Sequence, residues 1–287
     1  MAARAIGAST STAGIYSPFA ALLLLLPLIA LFCVAFLYPV GRLLSLSMFD
    51  PDFTLRHILR ALDTPLYVNV FLRTVRIAAL VTVFAFLLGY PVSVLMSRLS
   101  GRKALLVAAC VLVPLWTSVL VRSYAWIVML QTNGLINGAL QWLGLTDAPL
   151  RLLYNEGAVL IAMTHVLLPY MILPIYASLR SIPPDYERAA RNLGAGAITG
   201  FVTVTLPLSL PGVFAGCLLV FILALGFYIT PALVGGPDTL MAATLISQQA
   251  MDILDWPFAS ALSVLLLVAT LVIVVVFRRF LSLSKGL

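Results

Sequence analysis

The 287-residue chain is 62% apolar and only 9% charged, with a mean hydropathy of +1.12. Soluble domains carry about 25% charged residues, so this composition excludes a soluble globular protein and points to one that lives in a bilayer. The net charge of +7 comes from basic residues that flank apolar runs, a pattern of membrane topology rather than of nucleic-acid binding, while Cys33, Cys110 and Cys217 all lie inside apolar runs and imply neither a disulfide framework nor a metal cluster.

Residues 1–20 are rich in Ala, Ser, Thr and Gly with Arg4 as their one basic residue, and are expected to be a disordered cytoplasmic tail. Residues 21–40 carry no charge and would be about 30 Å long as a helix, enough to cross a bilayer. The run also exceeds the roughly 7 to 15 apolar residues of a cleaved signal peptide. From 41 to 76 the chain is polar and mixed. Further spans are expected over about 77–96, 105–129, 158–178, 208–229 and 257–277, with a short cytoplasmic tail over 281–287. The expected fold class is therefore an all-α integral membrane protein with six transmembrane helices.

Orientation follows from Lys and Arg. With the N-terminus in the cytoplasm, the inner side holds ten basic residues and two acids, Asp185 and Glu187; the outer side holds seven basic residues and eight acids. The bias favours both termini inside. Pro27, Pro91, Pro114, Pro169, Pro174, Pro211 and Gly226 interrupt the spans, either as packing kinks or as breaks that line a path through the membrane. Gly212 and Gly216 form a Gly-x-x-x-Gly step that allows close helix approach, to a neighbour in this chain or another. Arg122 is the charge nearest to an intramembrane position. At a span centre it would cost about 2.5 to 3.5 kcal/mol, so it either faces a cavity or snorkels to the outer interface beside Tyr124 and Trp126. His165 lies inside the fourth span, as a packing histidine or as a proton or substrate site, and His57 is expected in solvent.

The polar stretch 180–207 is different. Pro183 and Pro184 suit a helix start, and Asp185 and Glu187 place negative charge in its first turn. Tyr186, Ala189, Ala190 and Leu193 make a narrow apolar stripe, and Gly194 ends the helix. About ten residues are too few for an isolated helix, so this one needs a docking surface.

Ala189, Ala190, Gly194, Val204, Leu206 and Pro207 resemble, in order and spacing, the EAA loop of permease subunits of binding-protein-dependent ABC importers. Arg188 stands where that pattern has Glu, and Glu187 comes one residue earlier. Two more stretches, Pro114 to Trp126 followed by Gly134 and Asn137, and Tyr228 to Met241 followed by Ile246 to Gln249, Trp256 and Pro257, are similar to permeases for spermidine and putrescine. The likeness covers roughly residues 65–280. It implies a type I ABC importer transmembrane domain in a bacterial inner membrane, moving a small solute by alternating access. It also implies a second homologous permease, two cytoplasmic ABC ATPase subunits and an extracytoplasmic solute-binding protein. No cofactor is expected on this chain, with ATP and Mg held by the ATPase subunits. The implied coupling loop is Glu187, Arg188, Ala189, Ala190, Gly194, Leu206 and Pro207, where Glu187→Ala is expected to be milder than Gly194→Val. Trp116, Arg122, Tyr124, Tyr170 and Tyr228 are candidates for the translocation path.

The chain has no Gly-x-x-x-x-Gly-Lys-[Ser/Thr] loop, so nucleotide chemistry is not expected in it. None of the ten acids falls inside an expected span, which counts against an ion-coupled secondary transporter. No nucleophile–base or metal set can be assembled from the spans, which counts against a membrane-embedded enzyme. The solute itself, a polyamine or another small molecule such as an amino acid derivative, an opine or iron, is not decided by charge chemistry.

Overall fold

The computed structural model describes residues 18–284, so most of the two expected tails lies outside the described residues. Residues 18–20 already belong to the first helix, and 281–284 to the last.

Fourteen helical segments follow one another among the described residues: α1 Pro18–Phe32, α2 Tyr38–Ser45, α3 Arg56–Asp63, α4 Pro65–Arg98, α5 Gly101–Trp116, α6 Val119–Leu130, α7 Leu135–Trp142, α8 Glu156–Ser181, α9 Pro184–Asn192, α10 Ala197–Gly200, α11 Leu206–Leu225, α12 Ile229–Val234, α13 Ala242–Ser247 and α14 Trp256–Ser284. A π-helical turn, Cys33–Leu37, joins α1 to α2, and another, Phe201–Thr205, joins α10 to α11. Among the described residues five helices are long and apolar enough to cross a membrane, or six if the bent pair α5 to α7 counts as one span.

Three boundaries differ from the sequence expectation for physical reasons. The second span, expected over 77–96, is part of a 34-residue helix that starts at Pro65, about 50 Å long, and so is longer than a hydrocarbon layer of about 30 Å. Residues 65–76 look polar because of Arg73 and Arg76, yet Val70 and Thr74 between and beside them are buried. The third span, expected as one run over 105–129, turns by 102° after Trp116. Pro114 removes a helix donor, and the turn closes instead on its carbonyl, which accepts from the Thr117 N–H at 3.3 Å and the Thr117 hydroxyl at 2.8 Å. Thr117 and Ser118 are extended, and α6 leaves in a new direction. The fifth span, expected to reach 229, ends at Leu225, with Gly226 as its cap, and begins earlier, at Ala197. Pro207 does not stop it: it follows directly on the π-helical turn Phe201–Thr205, across which the Leu206 N–H bonds the Phe201 carbonyl, and such a turn is where an interrupted hydrogen-bond ladder is accommodated inside a helix.

The core is the packing of α4, α8 and α11. Ile77, Ala78, Val81 and Ala85 of α4 meet Val159, Ala162, Met163 and Met171 of α8 and Val213, Val220 and Ala224 of α11 in one buried cluster. Lipid is as apolar as leucine, so such helices are held by close packing and interhelical hydrogen bonds rather than by escape from water. Both are present. Tyr90 Oη and Ser209 Oγ lie 2.9 Å apart, and the Ser93 hydroxyl reaches the Ile172 carbonyl at 3.2 Å. Gly212 and Gly216 face α8 of this same chain: a Cβ on Gly212 would sit 2.4 Å from Ser178 Cβ and 2.7 Å from the Pro174 carbonyl oxygen, and one on Gly216 would sit 2.9 Å from Met171 Sδ. The first span, by contrast, has none of its apolar residues buried in the chain. It is pinned at its end, where the Ser260 hydroxyl donates to the Leu43 carbonyl at 2.6 Å.

Candidate functional site

At one end of the core lies α9. Its start at Pro184, its acidic first turn and its stop agree with local chemistry: Gly194 takes φ +86°, its N–H bonds the Arg191 carbonyl at 2.9 Å, and the Ala195 N–H bonds the Ala190 carbonyl at 3.0 Å. None of the residues of α9 is buried, and the expected apolar stripe is open: Leu193 is 89% exposed, and Tyr186 and Ala189 are exposed as well, with Ala190 half-buried. Ile198 of α10 is also exposed.

The two charged residues before Ala189 have different roles. Arg188 points outward and pairs only within its own helix, with Asp185 at 3.2 Å. Glu187 points inward and reaches three partners: Thr205 Oγ1 donates to Oε1 at 3.1 Å, Arg191 lies at 3.5 Å and Arg98 at 3.9 Å. Arg98 ends α4 and Thr205 ends the π-helical turn before α11. Leu206 packs against the core, and Pro207 is exposed. Sequence reasoning assigned Glu187 to the loop but not Arg98 or Thr205, since nothing in the local pattern signals them.

At the other end, the broken third and fifth spans leave two half-helices, α6 and α12, packed on each other, and Ser123 Oγ and Thr230 Oγ1 share a buried hydrogen bond of 2.9 Å. Arg122 does not snorkel: it is 9% exposed, and its Nε and Nη1 have no hydrogen-bond acceptor among the described residues. It lies within electrostatic reach of Tyr170 and His165. Trp126 Nε1 donates to His165 Nδ1 at 3.3 Å, so the imidazole is tied to α6 rather than idle in the packing. Trp126 and His165, with Phe84, Leu88 and Thr164, border an apolar cavity of about 380 Å³. Of the sequence candidates, Arg122 and Tyr170 come together here. Tyr228 (just before α12), Trp116 (86% exposed) and Tyr124 are exposed.

Asp50, Glu156 and Asp255, all outside α9, pair with basic residues. Arg60 pairs with Asp255 at 3.0 Å while its guanidinium lies 4.1 Å over the Phe258 ring, Arg76 pairs with Glu156, and His57 is 3.1 Å from Asp50 rather than free in solvent. Among the described residues no group of three His, Cys, Asp or Glu is placed to hold a metal ion.

Residues 89–284 match the family described as the binding-protein-dependent transport system inner membrane component. The chain belongs to that family. Inner membrane components of this kind include the spermidine/putrescine transport system permease protein PotB of Escherichia coli K12, 37% identical over 227 residues that cover 79% of this chain and 82% of that protein. PotB of Haemophilus influenzae is 36% identical over 218 residues, 76% of each chain. The fold is shared with a bacterial ABC transporter involved in the import of the acidic polysaccharide alginate, with a TM-score of 0.76 over 94% of this chain and 96% of that one, at 18% identity. This binding-protein-dependent component is thus the multi-pass permease subunit of an ABC importer in the inner membrane, as the loop pattern and the apolar runs led one to expect.

Proposed function

We propose that this permease carries a polyamine, spermidine or putrescine, into the cell. The observation that supports this reading most is the 37% identity to PotB over 227 residues. In this reading both termini are cytoplasmic, and a second homologous permease completes the path. Two ATPase subunits bind the loop around α9 and hydrolyse ATP with Mg, and a binding protein delivers the solute from outside. A solute with several ammonium groups would meet aromatic faces such as Tyr170 and Tyr228 rather than carboxylates, since the acids lie outside the apolar stretches. The test is ATP-dependent uptake of radiolabelled spermidine and putrescine by the assembled importer. Uptake of neither, with ATP hydrolysis intact, would overturn the polyamine reading.

One observation favours a second reading, a solute that carries a carboxylate: the buried charge of the half-helix region is a guanidinium with unpaired donors. Competition of spermidine uptake by amino acid derivatives or opines separates the two. In either case Arg122→Gln is expected to lower uptake several-fold with abundance and ATPase association unchanged, and an equal fall in abundance would make Arg122 a folding residue instead. For the orientation, reporter fusions after Leu145 and after Arg98 are expected outside and inside respectively. Finding both on one side would refute the six-span topology.

A further inference from the structure

We propose that Glu187 is the tether through which movement of the loop helix α9 reaches the membrane core. This inference rests on the importer reading of α9 as the ATPase-coupling element. Among the described residues, Glu187 makes the side-chain polar contacts that leave α9; the pairs Asp185–Arg188 and Glu187–Arg191 stay within it. No residue of α9 is buried, so apolar packing does not fix the helix to the body below. Two cavities, of about 340 and 330 Å³, flank the contact, and Arg98, Glu187 and Thr205 border both. The loop helix therefore stands off from the core and is joined to it by its chain ends and by this one carboxylate.

The partners lie where a displacement would have most effect. Thr205 is buried and is the last residue of the π-helical turn, a segment whose i→i+5 bonding can shift without unravelling the helix, and the Leu206 N–H still bonds the Phe201 carbonyl across it. The Phe201 ring packs edge-on against Tyr90 of α4 at 6.1 Å. Arg98 is the last residue of α4. One carboxylate thus links the loop helix to the ends of α4 and α11, two of the three helices of the core. Exposed ion pairs add little stability. The contact is accordingly a positioning device: it sets where α9 sits relative to α4 and α11 rather than how firmly the protein folds.

The experiment uses the assembled importer with Glu187→Ala, Thr205→Val and the double variant. Four quantities are read: membrane abundance, ATPase co-purification, spermidine uptake, and ATP-driven change in maleimide labelling of an Ala232→Cys reporter, with Cys33, Cys110 and Cys217 replaced by serine. The labelling readout does not depend on which solute is carried, so a wild-type importer that ignores spermidine but shows ATP-driven labelling refutes the polyamine reading and leaves the tether testable. Expected for Glu187→Ala are abundance and ATPase association within twofold of wild type, with uptake and the labelling change both down at least tenfold. Thr205→Val is expected to act in the same direction, and the double variant to be no worse than Glu187→Ala alone. A labelling change within twofold of wild type, a loss of association or abundance that matches the loss of transport, or additive effects in the double variant would each overturn the proposal. The sequence ranks Glu187→Ala as milder than Gly194→Val; the tether confines that ranking to ATPase association and removes it for transport.

Discussion

Gly212→Val is expected to remove most of the folded permease. The new Cβ would lie 2.4 Å from Ser178 Cβ, 2.7 Å from the Pro174 carbonyl oxygen and 3.1 Å from Ile175 Cα, and two of these three atoms are backbone that no rotamer change can move. The helices α8 and α11 must separate, and with them the cluster that holds Met171, Ile175 and Val213. Overpacking of a close-packed interior costs about 1 to 3 kcal/mol, and a backbone obstruction belongs at the upper end. Both helices are also hydrogen-bonded to α4, α11 through Ser209 and α8 through the Ile172 carbonyl, so forcing them apart disturbs these bonds too, and in lipid burial elsewhere does not repair the loss. The measurement is the yield of monodisperse protein in detergent with its thermal midpoint. An unchanged yield and midpoint would mean that α8 and α11 do not meet as closely as described. Gly226→Ala is the control, since a Cβ there meets nothing within 4 Å.

Gly194→Val is expected to leave the protein folded and to disconnect it. A Cβ at 194 has open space around it, so the obstacle is conformational: φ is +86°, which a β-branched residue adopts only with strain of about 1 to 3 kcal/mol. That strain acts on the helix stop, where the Gly194 and Ala195 amides close on Arg191 and Ala190, and it would turn the exposed Leu193 away from its present direction. If the misplacement is felt in full at the ATPase contact, coupling falls by about 5- to 150-fold. Uptake and ATPase co-purification should drop together, with abundance and thermal midpoint near wild type. Gly194→Asn, whose side chain tolerates the left-handed region, should retain much of both. Normal uptake and normal ATPase association in Gly194→Val would show that this stretch is not the coupling element.

What could be read in advance was what local chemistry decides. The bounds of α9 follow from Pro183, Pro184 and Gly194, all within a few residues of the turns they make. The membrane segments follow from runs of apolar residues, because a bilayer asks little more than length and the absence of charge. Direction was not legible: the run 105–129 stays apolar through the 102° turn at Thr117 and Ser118, and hydropathy has no term for a change of heading. Nor was the first third of α4, where Arg73 and Arg76 mask the burial of Val70 and Thr74. At the site, Glu187 was visible, but its partner Thr205 lies eighteen residues on and Arg98 in another span, and pairings at that distance leave no mark on one sequence. Trp116 shows the same limit: expected inside the third span and on the path, it is instead the last residue of α5, at the break, and largely exposed.

The bonds that close the core also set a timetable for synthesis. Tyr90 waits for Ser209, 119 residues later, and Ser123 waits for Thr230, 107 residues later. At about 5 to 20 residues per second, each stretch leaves the ribosome on the order of 10 s before its partner exists. During that interval α4 and α6 sit in the bilayer, or against the insertion machinery, with the surfaces that will meet α11 and α12 bare. A message cut short after α8 therefore yields not most of a permease but α4 and α8 without α11, with the Tyr90 and Ser123 hydroxyls lacking their partners across the core, which is the kind of product that membrane proteases clear.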